Sequence, residues 1–105
     1  MINVGTNDAG DGVVVVSVAG EVDLETAPDL EQSITDALNV PAARSVEVNL
    51  AAVSFLNSRG LSVLVSGSQR AEKAGIAFTV RGAQPAVAKV IEITGLTGVL
   101  CGPEA

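Results

Sequence analysis

The chain has 105 residues, of which 48% are hydrophobic and 17% are charged, with twelve acidic side chains against six basic ones. A chain of this length buries roughly 65% of its unfolded surface, which predicts one self-sufficient domain over residues 1–105. It contains no histidine and a single cysteine. This composition excludes the common zinc and iron sites and any catalysis that requires an imidazole near neutral pH.

The net charge of −6 is unevenly distributed, because residues 1–43 contain eight acidic side chains and no basic one. An acidic chain with no Trp and no Tyr repels phosphate backbones and lacks stacking platforms, so direct nucleic-acid binding is disfavoured. Apolar runs such as Val13–Val16 are a strand's length, which predicts no membrane span. The first eight residues lack the pattern of a signal peptide. We therefore expect a cytoplasmic protein that binds another protein.

The N-terminal half predicts two strands and a helix. Ile2–Thr6 and Val13–Ala19 are candidate strands separated by a glycine-rich turn, and the unbroken valines predict burial of the second strand on both faces. A helix follows, with Asp23 or Thr26 as its cap. Its apolar residues recur at helical spacing: Ala27, Leu30, Ile34, Ala37 and Leu38.

The C-terminal half continues the alternation of strands and helices. The predicted elements are a strand over Ser45–Leu50, a loop over Ala51–Asn57, a helix over about Arg59–Ala74, a strand over Ile76–Arg81, a helix over Pro85–Ile93 and a weak strand over Val99–Cys101. Gly75 and Gly95 are predicted to end the two helices. On the first of these helices, Gln69, Arg70 and Lys73 form the predicted polar face. This alternation predicts an α/β fold with a mixed sheet.

Small polar residues between Val53 and Val65 mark the point where a helix begins. Ser58 is predicted to be its N-cap, with the hydroxyl accepting a hydrogen bond from the N–H of Gly60 or Leu61. The free N–H groups and the helix dipole favour a negative charge there. From spacing alone, a cap without further role is the simpler interpretation of Ser58. In the same way, a solvated turn and a helix cap explain Glu21 and Asp23 without catalytic chemistry.

Three motifs in order resemble the STAS domain of bacterial anti-sigma factor antagonists, over about Val13 to Leu100. They are Gly20-Glu21-Val22-Asp23, the Phe-x-x-Ser-x-Gly-Leu core that begins at Phe55, and Pro85-Ala86-Val87 through Ile93-Thr94-Gly95-Leu96. The resemblance implies a STAS-like mixed sheet of four to five strands, with three to four helices in a single layer mainly on one face. It also implies that the partner phosphorylates Ser58 and that the Gly20–Asp23 loop lies near this serine.

The implied function is that of a switchable binding protein without a cofactor of its own. It would bind an anti-sigma factor of the Ser/Thr kinase type and release a sigma factor. Phosphorylation of Ser58 would end this binding, and a phosphatase would reverse it. The residues expected to contact the partner are Glu21, Asp23, Asn57, Ser58, Arg59, Gly60 and Leu61. Asn57 and Arg59 depart from the family, which usually has Asp before and Ser after the phosphorylated serine.

Two other functions remain open from the sequence. The domain could be a subunit of a larger signalling scaffold, supplying surface and no switch. An enzyme that uses Asp23 and Ser58 is disfavoured, because no general base of suitable pKa is visible. Cys101 follows Leu100 in an apolar ending and is interpreted as a small buried hydrophobe, so we assign it no role.

Overall fold

The computed structural model describes residues 2–8 and 12–93 of the chain. In order, its elements are β1 (Ile2–Asp8), β2 (Val13–Val22), α1 (Ala27–Leu38), β3 (Ser45–Leu56), α2 (Ser58–Ala74), β4 (Ala77–Arg81) and α3 (Pro85–Ile93). The strands form one sheet in the order β1-β2-β3-β4, with β1 antiparallel to β2 and the other neighbours parallel. The predicted mixed α/β fold is confirmed. The predicted strand Val99–Cys101 and the helix stop at Gly95 lie outside the described residues.

One face of the sheet carries the core, and β2 shows this most clearly. Val14, Val16 and Val18 are buried in the cluster that also contains core residues of α1 and α2. Val13 and Val15, which alternate with them, are only half-buried. The prediction that this strand is buried on both faces was therefore wrong. Valine is favoured in strands for its branched shape on either face, so a valine run does not by itself establish double burial.

Helices α1 and α2 pack closely against each other above that face. A Cβ atom added to Gly67 of α2 would lie 2.9 Å from Cγ2 of Ile34 in α1, so the absence of a side chain permits the approach. Arg70, predicted on the polar face of α2, is instead half-buried, and its Nη1 donates to the Thr35 hydroxyl at 2.7 Å. Its long side chain therefore reaches across to α1.

Strand β3 is longer than predicted and runs through the segment that was predicted to be a loop. It stays paired with β2 as far as Glu21↔Phe55 and Val22↔Leu56, past two shifts of register. Such irregularities break the alternation of buried and exposed residues, which is why the pattern after Leu50 did not indicate a strand. As a result, the junction between β3 and α2 lies directly beside the end of β2.

Candidate functional site

Asn57 connects β3 to α2 and fixes the start of the helix. Its backbone N–H donates to the carbonyl of Val22 at 3.0 Å, and its carbonyl accepts from the N–H of Leu61 at 3.0 Å. Its side-chain Oδ1 accepts from the N–H of Gly60, also at 3.0 Å. Asn57 is therefore the N-cap, and the prediction of Ser58 in this role was wrong. Asparagine caps as well as serine does, and Asn57 has the extended backbone that an N-cap requires.

Ser58 is consequently the first residue of α2, and it is exposed. Its carbonyl accepts a hydrogen bond from the Ser62 hydroxyl at 3.0 Å. Its own hydroxyl makes no hydrogen bond to any residue in the described part of the chain. Since Asn57 does the capping, the Ser58 hydroxyl is available to a reagent that approaches from solvent.

Gly60 allows the first turn of α2 to lie against the ends of β2 and β3. A Cβ atom added there would be 2.5 Å from Cγ1 of Val22 and 2.6 Å from Cδ1 of Leu56, both of them buried side chains. Any side chain at this position would push the start of the helix outward. Leu61 is buried beside it. Gly60 and Leu61 thus hold the first turn of α2, which carries Ser58, against the sheet. Their contact with a partner stays a prediction.

The loop after β2 is held by Asp23. Its Oδ1 accepts hydrogen bonds from the backbone N–H groups of Glu25 and Thr26, each at 3.0 Å. Hydrogen bonds from Thr26, first from its backbone and then from its side chain, hold the pKa of Asp23 below its usual value. Thr26 is the N-cap residue of α1, but its side chain makes no capping hydrogen bond. Its hydroxyl oxygen instead accepts from the Asp23 N–H at 2.9 Å, and its one proton is shared between the Glu21 carbonyl at 2.8 Å and Oδ1 of Asp23 at 3.1 Å. Asp23 therefore has a clear role in shaping the loop.

The structure brings this loop and Ser58 to one edge of the sheet. Glu21 is exposed and is paired in register with Phe55 of β3, two residues before Asn57. The hydrogen bond from Asn57 to Val22 ties the start of α2 to the same place. Among the residues predicted to bind a partner, Glu21, Ser58 and Arg59 are exposed, and Asp23 and Asn57 are half-buried.

Two apolar side chains at this edge were not predicted as functional residues. Leu24 is 69% exposed and Phe55 is 49% exposed, and they are the exposed large hydrophobic residues of the described chain. Leu24 follows the loop aspartate directly, and Phe55 lies opposite Glu21. Large apolar side chains that remain exposed at one end of a sheet are candidates for burial against a partner. The sequence signal for this surface is that Leu24 is an apolar residue among acidic ones. From the sequence alone, however, Leu24 could equally be a core residue.

The side chains of Arg59 and Ser58 leave the axis of α2 in different directions. Successive helical residues are about 100° apart around the axis, so neighbours in sequence do not face each other. The exposed Arg59 side chain lines a groove of about 200 Å³ between α1 and α2. The other lining residues are Ala27, Pro28, Glu31, Ser62, Val63 and Ser66.

Within residues 2–8 and 12–93, no three His, Cys, Asp or Glu side chains come together to hold a metal ion. Within the same ranges, no helix combines the length and the apolar character needed to cross a membrane.

Comparison with known proteins agrees with the motifs and the geometry. The STAS domain family profile matches residues 7–103. The anti-sigma-B factor antagonist of Staphylococcus aureus is 31% identical over 85 residues, covering 81% of this chain and 78% of that protein. An anti-sigma factor antagonist from Mycobacterium paratuberculosis is 35% identical, with a TM-score of 0.80 and coverage of 98% of this chain and 86% of that one. The Bacillus cell fate determinant SpoIIAA in its phosphorylated form shares the fold at 19% identity and a TM-score of 0.74, over 95% of this chain and 90% of that one. The chain therefore belongs to the STAS domain family.

Proposed function

We propose that this protein is an anti-sigma factor antagonist that binds an anti-sigma factor of the Ser/Thr kinase type in the cytoplasm. Binding releases a sigma factor, and phosphorylation of Ser58 by the partner ends the interaction until a phosphatase removes the phosphate. The observation that carries the proposal is the Ser58 hydroxyl, which is exposed and free of hydrogen bonds in the described chain, at the start of a firmly held helix. The names of the relatives support the same role.

Phosphoryl transfer to Ser58 requires groups from both this chain and the partner kinase. Oγ of Ser58 attacks the γ-phosphorus of ATP, the bond to ADP breaks, and the hydroxyl proton passes to a base of the kinase. ATP, Mg²⁺ and the base come from the partner. This chain contributes a nucleophile whose position is set by the Asn57 cap and by the close packing of Gly60 on Val22. Phosphoryl transfer depends largely on such positioning.

The local structure tolerates a phosphate on Ser58. The N–H groups of Gly60 and Leu61 are already bound to Asn57, which leaves those of Ser58 and Arg59 for the phosphate oxygens. A phosphate adds about −1.5 to −2 charges, and an anion at a helix N-terminus is favoured by roughly 0.3 to 1 kcal/mol. The phosphorylated domain should therefore remain folded.

The same phosphate is unfavourable for binding. The exposed apolar side chains of Leu24 and Phe55 lie at the same edge as Ser58 and would be the contacts that a partner buries. A dianion on Ser58 would have to be desolvated with them, at a cost of several kcal/mol if it found no counter-charge. Binding would fail at the interface while the fold is retained.

The test is phosphoryl transfer to the purified protein. Recombinant kinase-type anti-sigma factors of the source organism are incubated with ATP, Mg²⁺ and either the wild type, Ser58→Ala or the matched control Ser62→Ala. We expect one phosphate per chain, by intact mass, on the wild type and the control and none on Ser58→Ala. Equal phosphorylation of Ser58→Ala, or none on the wild type with any partner, contradicts the proposal. A stable high-mass assembly without transfer would favour the scaffold role.

A further inference from the structure

The groove between α1 and α2 contains a basic side chain in an unfavourable electrostatic position. Arg59 is the second residue of α2, at the positive end of the helix dipole, where an acidic side chain would be favoured. No acidic residue occupies the first turn of this helix to offset it. A residue that breaks a local rule without compensation inside the fold is often explained by function.

Arg59 also has no partner within the described chain. Its side chain is exposed, and no ion pair or hydrogen bond joins the guanidinium to any residue of the described ranges. Glu31 lines the same groove from α1 and is likewise exposed, yet the two side chains are not within ion-pair distance of each other. Both charges are therefore free to meet groups on another molecule.

The lining of the groove leaves the guanidinium accessible. Ala27 and Val63 are buried below it, and the side chains of Ser62 and Ser66 are short. Arg59 directly follows Ser58 in the first turn of α2, so a partner segment that extends around this turn from the serine would enter the groove. An arginine in such a position can bind a carboxylate through two parallel hydrogen bonds, which adds directional specificity to the charge attraction.

We propose that Arg59 selects the anti-sigma partner by pairing with a carboxylate on a segment that the partner lays into the groove. The inference rests on the proposed function. The occupant must match the charges that line the groove, with an acidic side chain against Arg59 and a basic one against Glu31. A related partner with a basic residue opposite Arg59 is repelled, because like charges brought together at an interface destabilise the wrong complex.

The experiment compares binding of matched charge variants. Each recombinant kinase-type anti-sigma factor of the source organism is titrated, with ADP in place of ATP to prevent transfer, against the wild type, Arg59→Gln, Arg59→Glu and Lys73→Glu. Lys73 is exposed in the last turn of the same helix, about 21 Å along the axis, so its reversal changes the net charge equally at a distance. Thermal unfolding of each variant checks its fold.

We expect Arg59→Gln to weaken binding to the cognate partner about tenfold and Arg59→Glu about a hundredfold, while Lys73→Glu changes it less than about threefold. Reversal of the facing carboxylate to lysine in the partner should restore binding of Arg59→Glu. Equal affinities for all four proteins, or the same loss with Lys73→Glu, would overturn the role of Arg59 and leave the antagonist function intact. Failure of the wild type to bind any of the partners would overturn both.

Discussion

The residue that caps α2 determines what Ser58 can do. In this chain the capping hydrogen bond comes from the Asn57 side chain, and the serine hydroxyl has no structural task in the described chain. A serine that also had to cap the helix would lose its capping hydrogen bond on phosphorylation. Because Asn57 does the capping, the phosphorylation that we propose at Ser58 would leave the capping hydrogen bond in place.

A pair of alanine substitutions tests this division. Asn57→Ala should lower the free energy of unfolding by about 0.5 to 2 kcal/mol, the usual effect of losing an N-cap. Ser58→Ala should change it by less than about 0.5 kcal/mol, as an exposed side chain without contacts does. Urea denaturation followed by circular dichroism measures both. The reverse order of effects would mean that Ser58 is the cap in solution.

The hydrogen bonds to Asp23 make stability depend on pH in a defined direction. Because its folded pKa lies below the usual 3.8, Asp23 contributes stability that is present above that value and is lost as the pH falls through the folded pKa. The loss should therefore occur below about pH 4. Asp23→Asn should make this loss of stability at acid pH smaller. Glu25→Gln, which removes a carboxylate from the same loop, serves as the control. Identical acid-unfolding profiles for wild type and Asp23→Asn would contradict this role.

At the scale of the elements, α2 joins the site to the core. Leu64 is fully buried on the face that packs against the sheet and α1, within the single cluster that contains Leu30 and Ile34. Ser58 lies on the same helix at its exposed end. The position of the serine therefore depends on packing one to two turns further along the helix.

Two leucines of opposite exposure provide a matched comparison. Leu64→Ala should lower the free energy of unfolding by about 2 to 5 kcal/mol, because it leaves a cavity in the core. Leu24→Ala, at an exposed position, should change stability by less than about 0.5 kcal/mol and instead weaken partner binding. Chemical denaturation and a binding titration separate the two effects. An unchanged stability of Leu64→Ala would mean that this face of α2 is not buried in solution.

The sequence predicted elements well where the pattern is local. The apolar spacing in α1 indicated its buried face, and Leu30, Ile34 and Ala37 are indeed fully buried. Gly75 was predicted to end α2 and has the left-handed backbone, with φ of 72°, that favours glycine there. The far half of β3 was missed because its strand character comes from pairing with β2 across two irregularities, which no local pattern reveals.

The site was predicted in part for similar reasons. The motif resemblance drew attention to Ser58 and the Gly20–Asp23 loop, and the structure brings the two together. The exposure of Leu24 depends on how the loop folds around Asp23, so its residue type gave no direct signal. Asparagine and serine are near-equal caps, and only the backbone conformation decides between neighbours.

At the scale of the whole molecule, the uneven distribution of charge can attract or repel a partner before the two proteins are in contact. The acidic N-terminal half includes exposed Glu21, Glu25, Asp29 and Glu31, around the end of β2 and the start of α1 next to Ser58. A basic surface on the partner would be drawn toward this side of the molecule before contact is made.

The association rate should therefore fall with added salt. At 0.1 M ionic strength the Debye length is about 10 Å, and charges further apart than this no longer attract effectively. Stopped-flow mixing with the purified anti-sigma partner at low and moderate ionic strength measures the rate. Lys73→Glu, which makes the chain more acidic, should steepen the salt dependence. A rate that does not change with salt would rule out electrostatic steering.

Phosphorylation of Ser58 as an interface switch is tested most directly by a single paired measurement. The unphosphorylated and the stoichiometrically phosphorylated protein are compared in thermal unfolding and in affinity for the anti-sigma partner. We expect the melting temperature to stay the same or rise slightly, because the phosphate lies at a helix N-terminus, while affinity falls by at least about a hundredfold. A phosphorylated protein that melts markedly earlier, or that binds the partner as tightly as before, would contradict this mechanism.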